Sequence, residues 1–150
     1  MGKSEEPGDT GRPHGYRVEA QVGHLLRRAH QRATALFLAH IGDDNVTPTQ
    51  FAALVKLRDE PDLSQNHLGR LTAMDPATIQ GVIRRLKSRG LVQDRPDPTD
   101  ARRTLLRLSV RGEDMAARLV PNGTIISEQI LAPLRPEERQ TLLDLLKRIS

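Results

Sequence analysis

The residues of this chain best suited to chemistry are cations gathered in one stretch. Between residues 84 and 111 stand nine Lys and Arg: Arg84, Arg85, Lys87, Arg89, Arg95, Arg102, Arg103, Arg107 and Arg111. Three acids, Asp94, Asp97 and Asp100, share that stretch, so it carries +6 while the rest of the chain sums to −2. A local excess of this size is the usual footprint of phosphate contact; a solvated helix face is the alternative that charge alone leaves open. The five histidines point elsewhere less clearly. His24 and His30 are six apart, which does not put two ligands on one helical face, and neither Cys nor a well-spaced acid completes a metal set. Neither a metal nor another cofactor is expected. No Gly-rich phosphate loop, triad order or paired carboxylates argue for an enzyme. Tyr16, Phe37 and Phe51 are the only aromatic rings among 150 residues, too few to stack the bases of single strands.

Those cations need elements to hold them. Residues 1–15 are rich in Gly and Pro and read as a flexible tail. Residues 16–41 read as one long helix, with Val22, Leu25, Leu26, Ala29, Ala33, Leu36, Phe37 and His40 on an arc of roughly 120°. On that arc His40 is expected to be buried or to line a pocket. Thr47 before Pro48 opens a second helix, which Pro61 closes. Ser64 caps a short third. Asp75 before Pro76 opens a fourth, with Ile79, Val82, Ile83 and Leu86 inward and Gly90 as its stop. Leu91-Val92 and residues 104–109 read as two short strands around a polar loop from Pro96 to Asp100. The helical period returns from Arg111, with Pro121 and Gly123 expected to kink or interrupt it. Glu137 and Glu138 open a last helix.

The expected fold is mainly α with a small β-hairpin wing: a winged helix-turn-helix with N- and C-terminal dimerisation helices. Its segments are a tail at 1–15, a dimerisation helix at 16–45, a DNA-binding lobe at 46–110 and C-terminal dimerisation helices at 111–150. Apolar helices at both ends suit a homodimer; an intramolecular bundle is the alternative. No apolar run approaches eighteen residues, and the polar start has no apolar core, so neither a membrane span nor a secretory signal is expected. The absence of Cys fits a cytoplasmic location.

This order, with its local residues, resembles the MarR family of bacterial transcriptional regulators. The resemblance covers nearly all of residues 16–150 and is most specific from Leu63 to Gly112. There Leu63-Ser64-Gln65-Asn66, Asp75-Pro76-Ala77-Thr78, Arg85-Leu86 and Arg89-Gly90-Leu91-Val92 come in order. Asp97, Asp100, Arg102 and Arg103 follow in the wing, then Leu108-Ser109 and Gly112. It implies an obligate homodimer, a DNA-binding lobe in each subunit and often a small-molecule pocket near the dimer domain.

Roles follow from residue type. Pro76, Ala77, Thr78, Gln80 and Arg84 occupy the start and outer face of the fourth helix, where Gln80 suits an adenine edge and Arg84 guanine or phosphate. Ser64, Gln65 and Asn66 face the duplex backbone, which sets register. Arg102 and Arg103 suit a narrow minor groove, and Arg95 is a second wing candidate. The resemblance implies that Asp100 buttresses the wing arginine. Two departures weaken the pattern: Gly81 and Ala101 stand where many members carry a polar or basic residue and an arginine. On the first helix His24 and Arg28 share a face, with Arg27, His14, Tyr16 and, further along, His40. That cluster suits a small organic-acid effector, an aromatic carboxylate among the candidates; a plain polar face is the alternative.

The expected function is a ligand-responsive regulator of double-stranded DNA, acting as a repressor on a pseudo-palindromic operator. A winged-helix module for protein contact or for DNA without sequence preference is the other reading.

Overall fold

The computed structural model describes residues 15–43 and 45–150, so His14 and nearly all of the expected tail lie outside the described residues. In chain order the elements are α1 (Val22–His40), α2 (Pro48–Asp59), α3 (Gln65–Leu71), α4 (Pro76–Ser88), β1 (Val92–Pro96), β2 (Thr104–Leu108), α5 (Val110–Leu131) and α6 (Pro136–Ile149). The chain divides within α1 into two compact units, up to Gln31 and from Arg32 onward.

The helix starts lie where the caps put them. Thr47 and Gln50 form a reciprocal capping box before α2. The Ser64, Asp75 and Ser109 side chains accept from the N–H groups of His67, Thr78 and Gly112. Each satisfies a donor that the first helical turn leaves unpaired.

Three expectations fail. Residues 16–41 are not one helix: a 3-10 turn, Val18–Ala20, comes first, and Gln21 is extended at ψ 138° before α1 begins. No strong cap residue marks that break in the sequence. Pro121 and Gly123 do not interrupt α5, which runs 22 residues. Pro121 and Ala117 are both exposed, so the carbonyl that loses its partner belongs to a residue on the open side of the helix. Gly123 lies under Phe51, whose Cζ would be 2.7 Å from an added Cβ. The first strand is not Leu91-Val92 but Val92–Pro96, because antiparallel pairing carries polar residues into the ladder, from Val92 opposite Leu108 to Pro96 opposite Thr104.

Two apolar clusters lie in the unit from Arg32 onward. The larger joins Leu54 and Leu57 of α2, Leu68 of α3, Ile79, Ile83 and Leu86 of α4, and Leu106 and Leu108 of β2. The smaller joins Phe37, Ile41, Val46, Leu119 and Ile126. Burial of each large aliphatic side chain contributes roughly 1.5–3 kcal/mol. Gly112 fixes the close approach of α5 to the hairpin, since an added Cβ there would fall 2.1 Å from the Leu91 carbonyl oxygen. Among the described residues, no helix is long and apolar enough to cross a membrane.

Candidate nucleic-acid interface

Ile79, Val82, Ile83 and Leu86 anchor α4 in the core, which leaves Pro76, Ala77, Thr78, Gln80 and Arg84 exposed on its other side. Gln65 of α3 joins Gln80, Arg84 and Lys87 of α4 around one groove of about 300 Å³. Asn66 and Pro76 line a second groove of about 260 Å³ with Arg70. Of the expected residues of the two helices, the grooves bring together Gln65, Asn66, Pro76, Gln80 and Arg84, while Ser64, Ala77 and Thr78 line neither.

Their hydrogen bonds refine their chemistry. Asp75 accepts from the Thr78 N–H and from the Thr78 hydroxyl, both at 2.8 Å. These bonds, the backbone one foremost, hold the Asp75 carboxyl below its ordinary range. With its proton directed to Asp75, Thr78 presents its methyl group and an acceptor oxygen. The Ser64 hydroxyl accepts from the His67 N–H at 3.3 Å. Its own proton stays available, because a hydroxyl both accepts and donates.

The wing is a seven-residue loop between Pro96 and Thr104. Asp97, only 8% exposed, organises it by accepting from the Thr99 hydroxyl and N–H at 2.7 and 2.8 Å. The same bonds hold its carboxyl below the usual range. The Arg103 N–H donates to the Asp100 carbonyl, and the Arg103 carbonyl accepts from the Asp97 N–H. Asp100 accepts from Arg102 Nε and Nη2 at 3.2 and 3.3 Å, while the Arg102 side chain stays 91% exposed. That pair braces the arginine and lowers the Asp100 carboxyl, the Arg102 hydrogen bond first. Arg103 is 57% exposed, 3.7 Å from Asp97.

Much of the basic excess is matched in space by acids from elsewhere in the chain. Arg95 and Arg107 both pair with Asp62, and Arg89 with Asp43, neither of which lies in the basic segment. Lys87 pairs with Asp94 at 2.6 Å. Among the described residues, Arg84, Arg85 and Arg111 form no such pair. Sequence reasoning missed Asp62 and Asp43 because both stand in inter-helix loops that read only as turns. Arg89 also donates to the Asn45 carbonyl at 2.9 Å, which ties the end of α4 to the loop before α2.

The effector candidates are less gathered. Tyr16 is 81% exposed. Arg27 and Arg28 are exposed, and His24 is half-buried on α1. His40 is not buried as its place on the apolar arc suggested; it is the last residue of α1 and exposed. Of that arc, Phe37 alone is buried among the described residues.

A capped helix with a free outer face, a supporting helix before it and an arginine-tipped two-stranded wing after it define a winged helix-turn-helix module. Comparison with known proteins narrows this. A model described as MarR family matches residues 44–103. The HTH-type transcriptional repressor NicR of Pseudomonas putida is 42% identical over 134 residues, covering 89% of this chain and 85% of NicR. A crystal structure of a probable transcriptional regulator from Pseudomonas aeruginosa is 48% identical at a TM-score of 0.86, covering 89% of this chain and all of that one. Another, reporting the mechanism by which 6-hydroxynicotinic acid regulates DNA binding of Bordetella bronchiseptica BpsR, is 39% identical at a TM-score of 0.86, covering 90% and 96%. The chain belongs to the MarR family of DNA-binding transcriptional regulators.

Proposed function

We propose that this protein is a cytoplasmic repressor that binds a pseudo-palindromic operator as a homodimer and is released by a small aromatic carboxylate of the hydroxypyridine-carboxylate class. The observation that carries the DNA reading is the groove where Gln65, Gln80, Arg84 and Lys87 meet, beside an α4 whose other face is buried. In this reading Gln80 and Arg84 read base edges, Ser64, Gln65 and Asn66 hold the backbone, and Arg102, braced by Asp100, enters the minor groove with Arg103. Two copies held through α1, α5 and α6 would set their α4 helices about 34 Å apart, one turn of duplex.

The effector class rests on similarity to BpsR, whose DNA binding 6-hydroxynicotinic acid regulates, and on the cations of α1, His24, Arg27 and Arg28, which suit a planar carboxylate. A ligand that binds the free dimer better than the DNA-bound form lowers operator affinity by that difference. The test is fluorescence anisotropy on a palindromic duplex from an unbiased selection, against random duplex, with 6-hydroxynicotinate and benzoate titrated in. Preference for the palindrome, lost on adding one of these acids and retained by Arg28→Ala, is the expected result. Equal binding to both duplexes would replace it with a module lacking sequence preference.

A further inference from the structure

The hairpin register creates an electrostatic problem that Asp62 solves. Arg95 pairs opposite Leu105, so Arg95 and Arg107 are diagonal neighbours on one face of the two-stranded wing. Two like charges there repel unless an anion lies between them. Asp62, in the loop between α2 and α3, supplies it. Its carboxylate accepts from Arg107 Nε at 2.9 Å and Nη2 at 2.8 Å, a two-pronged fork, and from Arg95 Nη1. The Arg107 bonds hold the Asp62 carboxyl below its ordinary range. The backbone repeats the connection: the Asp62 N–H donates to the Leu106 carbonyl, and the Leu106 N–H to the Leu63 carbonyl. Asp62 takes φ +64°, a left-handed conformation that Asp and Asn tolerate better than other side-chained residues.

We propose that Asp62 is a positioning residue for operator binding: by clasping Arg95 and Arg107 it sets the angle of the wing against the helix-turn-helix, and these two arginines serve that joint rather than phosphate. The role rests on the operator reading above. An exposed ion pair alone contributes little, but a forked carboxylate shared by two arginines on two strands fixes orientation as well as charge. A wing tilted by a small angle at this base displaces Arg102 and Arg103 at its tip.

The experiment measures operator affinity against salt for the full chain and for Asp62→Asn, Arg95→Gln, Arg107→Lys and Arg102→Ala. Asn tolerates the left-handed backbone but replaces one accepting oxygen, and the charge, with an NH2 that cannot accept; Lys keeps the charge of Arg107 and removes the fork. Asp62→Asn and Arg107→Lys are expected to weaken binding about tenfold, the scale of coupling within one network. Neither they nor Arg95→Gln is expected to change the slope of log K against log salt. Arg102→Ala is expected to reduce that slope by about one. Adding Asp62→Asn to Arg102→Ala with Arg103→Ala is expected to cost less than about threefold more, since the tip it positions is gone. Binding by Asp62→Asn within about twofold of the parent, or tighter binding with a steeper slope, overturns the proposal; so does a reduced slope for Arg95→Gln. If Asp62→Asn does not fold, Arg107→Lys carries the same outcomes. A parent chain that prefers no selected duplex overturns the operator reading instead, and the same series on random duplex still tests the joint.

Discussion

The lobe from α2 to β2 and the last helix are both rich in leucine and isoleucine, yet they dispose of them differently. Leu54, Leu68, Ile79, Ile83 and Leu86 are all at 1% exposure or below. In α6 no residue is buried, and Leu145 and Ile149 remain 49% and 66% exposed. On α1 Val22 and Leu38 are 67% and 54% exposed. Among the described residues, a single chain completes the lobe but leaves these large apolar side chains of its end helices exposed, and exposed apolar surface suits a contact surface. The lobe proposed to read DNA is therefore completed within one chain, whereas the proposed spacing between two such helices requires a second.

The contrast can be broken at its strongest point. Gly112→Ala drives a methyl group to 2.1 Å from the Leu91 carbonyl oxygen, so backbone would have to shift. It is expected to cost about 3 kcal/mol or more, seen as a large fall in thermal midpoint. An equally non-conservative change on the end helices, Leu145→Asp, is expected to leave the secondary structure of the lobe intact by circular dichroism. It is instead expected to yield monomers at micromolar concentration in sedimentation and to weaken operator binding about a hundredfold as the second reading head is lost. Unchanged dimer mass in Leu145→Asp would remove α6 from the interface.

Acid sharpens the comparison further. In the lobe Asp62, Asp75, Asp97 and Asp100 are all held below the ordinary aspartate range by donors of the folded state. In α6 Glu138 is lowered, mainly by its hydrogen bond with Arg135. Groups with lowered folded pKa stabilise fully above their unfolded value and lose that contribution as pH falls through the folded one. Stability of the lobe is expected to hold down to about pH 4 and to fall below it, with a shallower fall in Asp75→Asn, which keeps the cap but not the charge. A thermal melt series from pH 7 to 2 measures this.

The smallest effect concerns the turn between α3 and α4. Ala73 takes φ 54° there, a conformation that its methyl group disfavours. Ala73→Gly is expected to stabilise the lobe by up to about 1 kcal/mol, a rise of roughly 2–4 °C in Tm, without changing the salt slope of DNA binding.

Local chemistry was legible in the sequence wherever one residue decides. Thr47, Ser64 and Asp75 cap α2, α3 and α4 because each side chain reaches the N–H three residues on. The brace of Asp100 on Arg102 was implied by the family resemblance instead, and the side chains meet. The break at Gln21 was not legible, since no cap or turn residue marks it. Nor was the continuity of α5 past Pro121, which depends on where that residue faces.

What the sequence determined by itself is the order of elements, the inward face of α4 and the concentration of cations around the wing, all set by periodicity and by contacts within a few residues. The tertiary structure alone decided which of those cations are paired with acids and which stay unpaired. Asp62 and Asp43 come from loops 33 and 46 positions away from Arg95 and Arg89. Charge pairing acts through space, so only the folded chain could bring these carboxylates to their arginines and leave Arg84 and the wing tip facing outward.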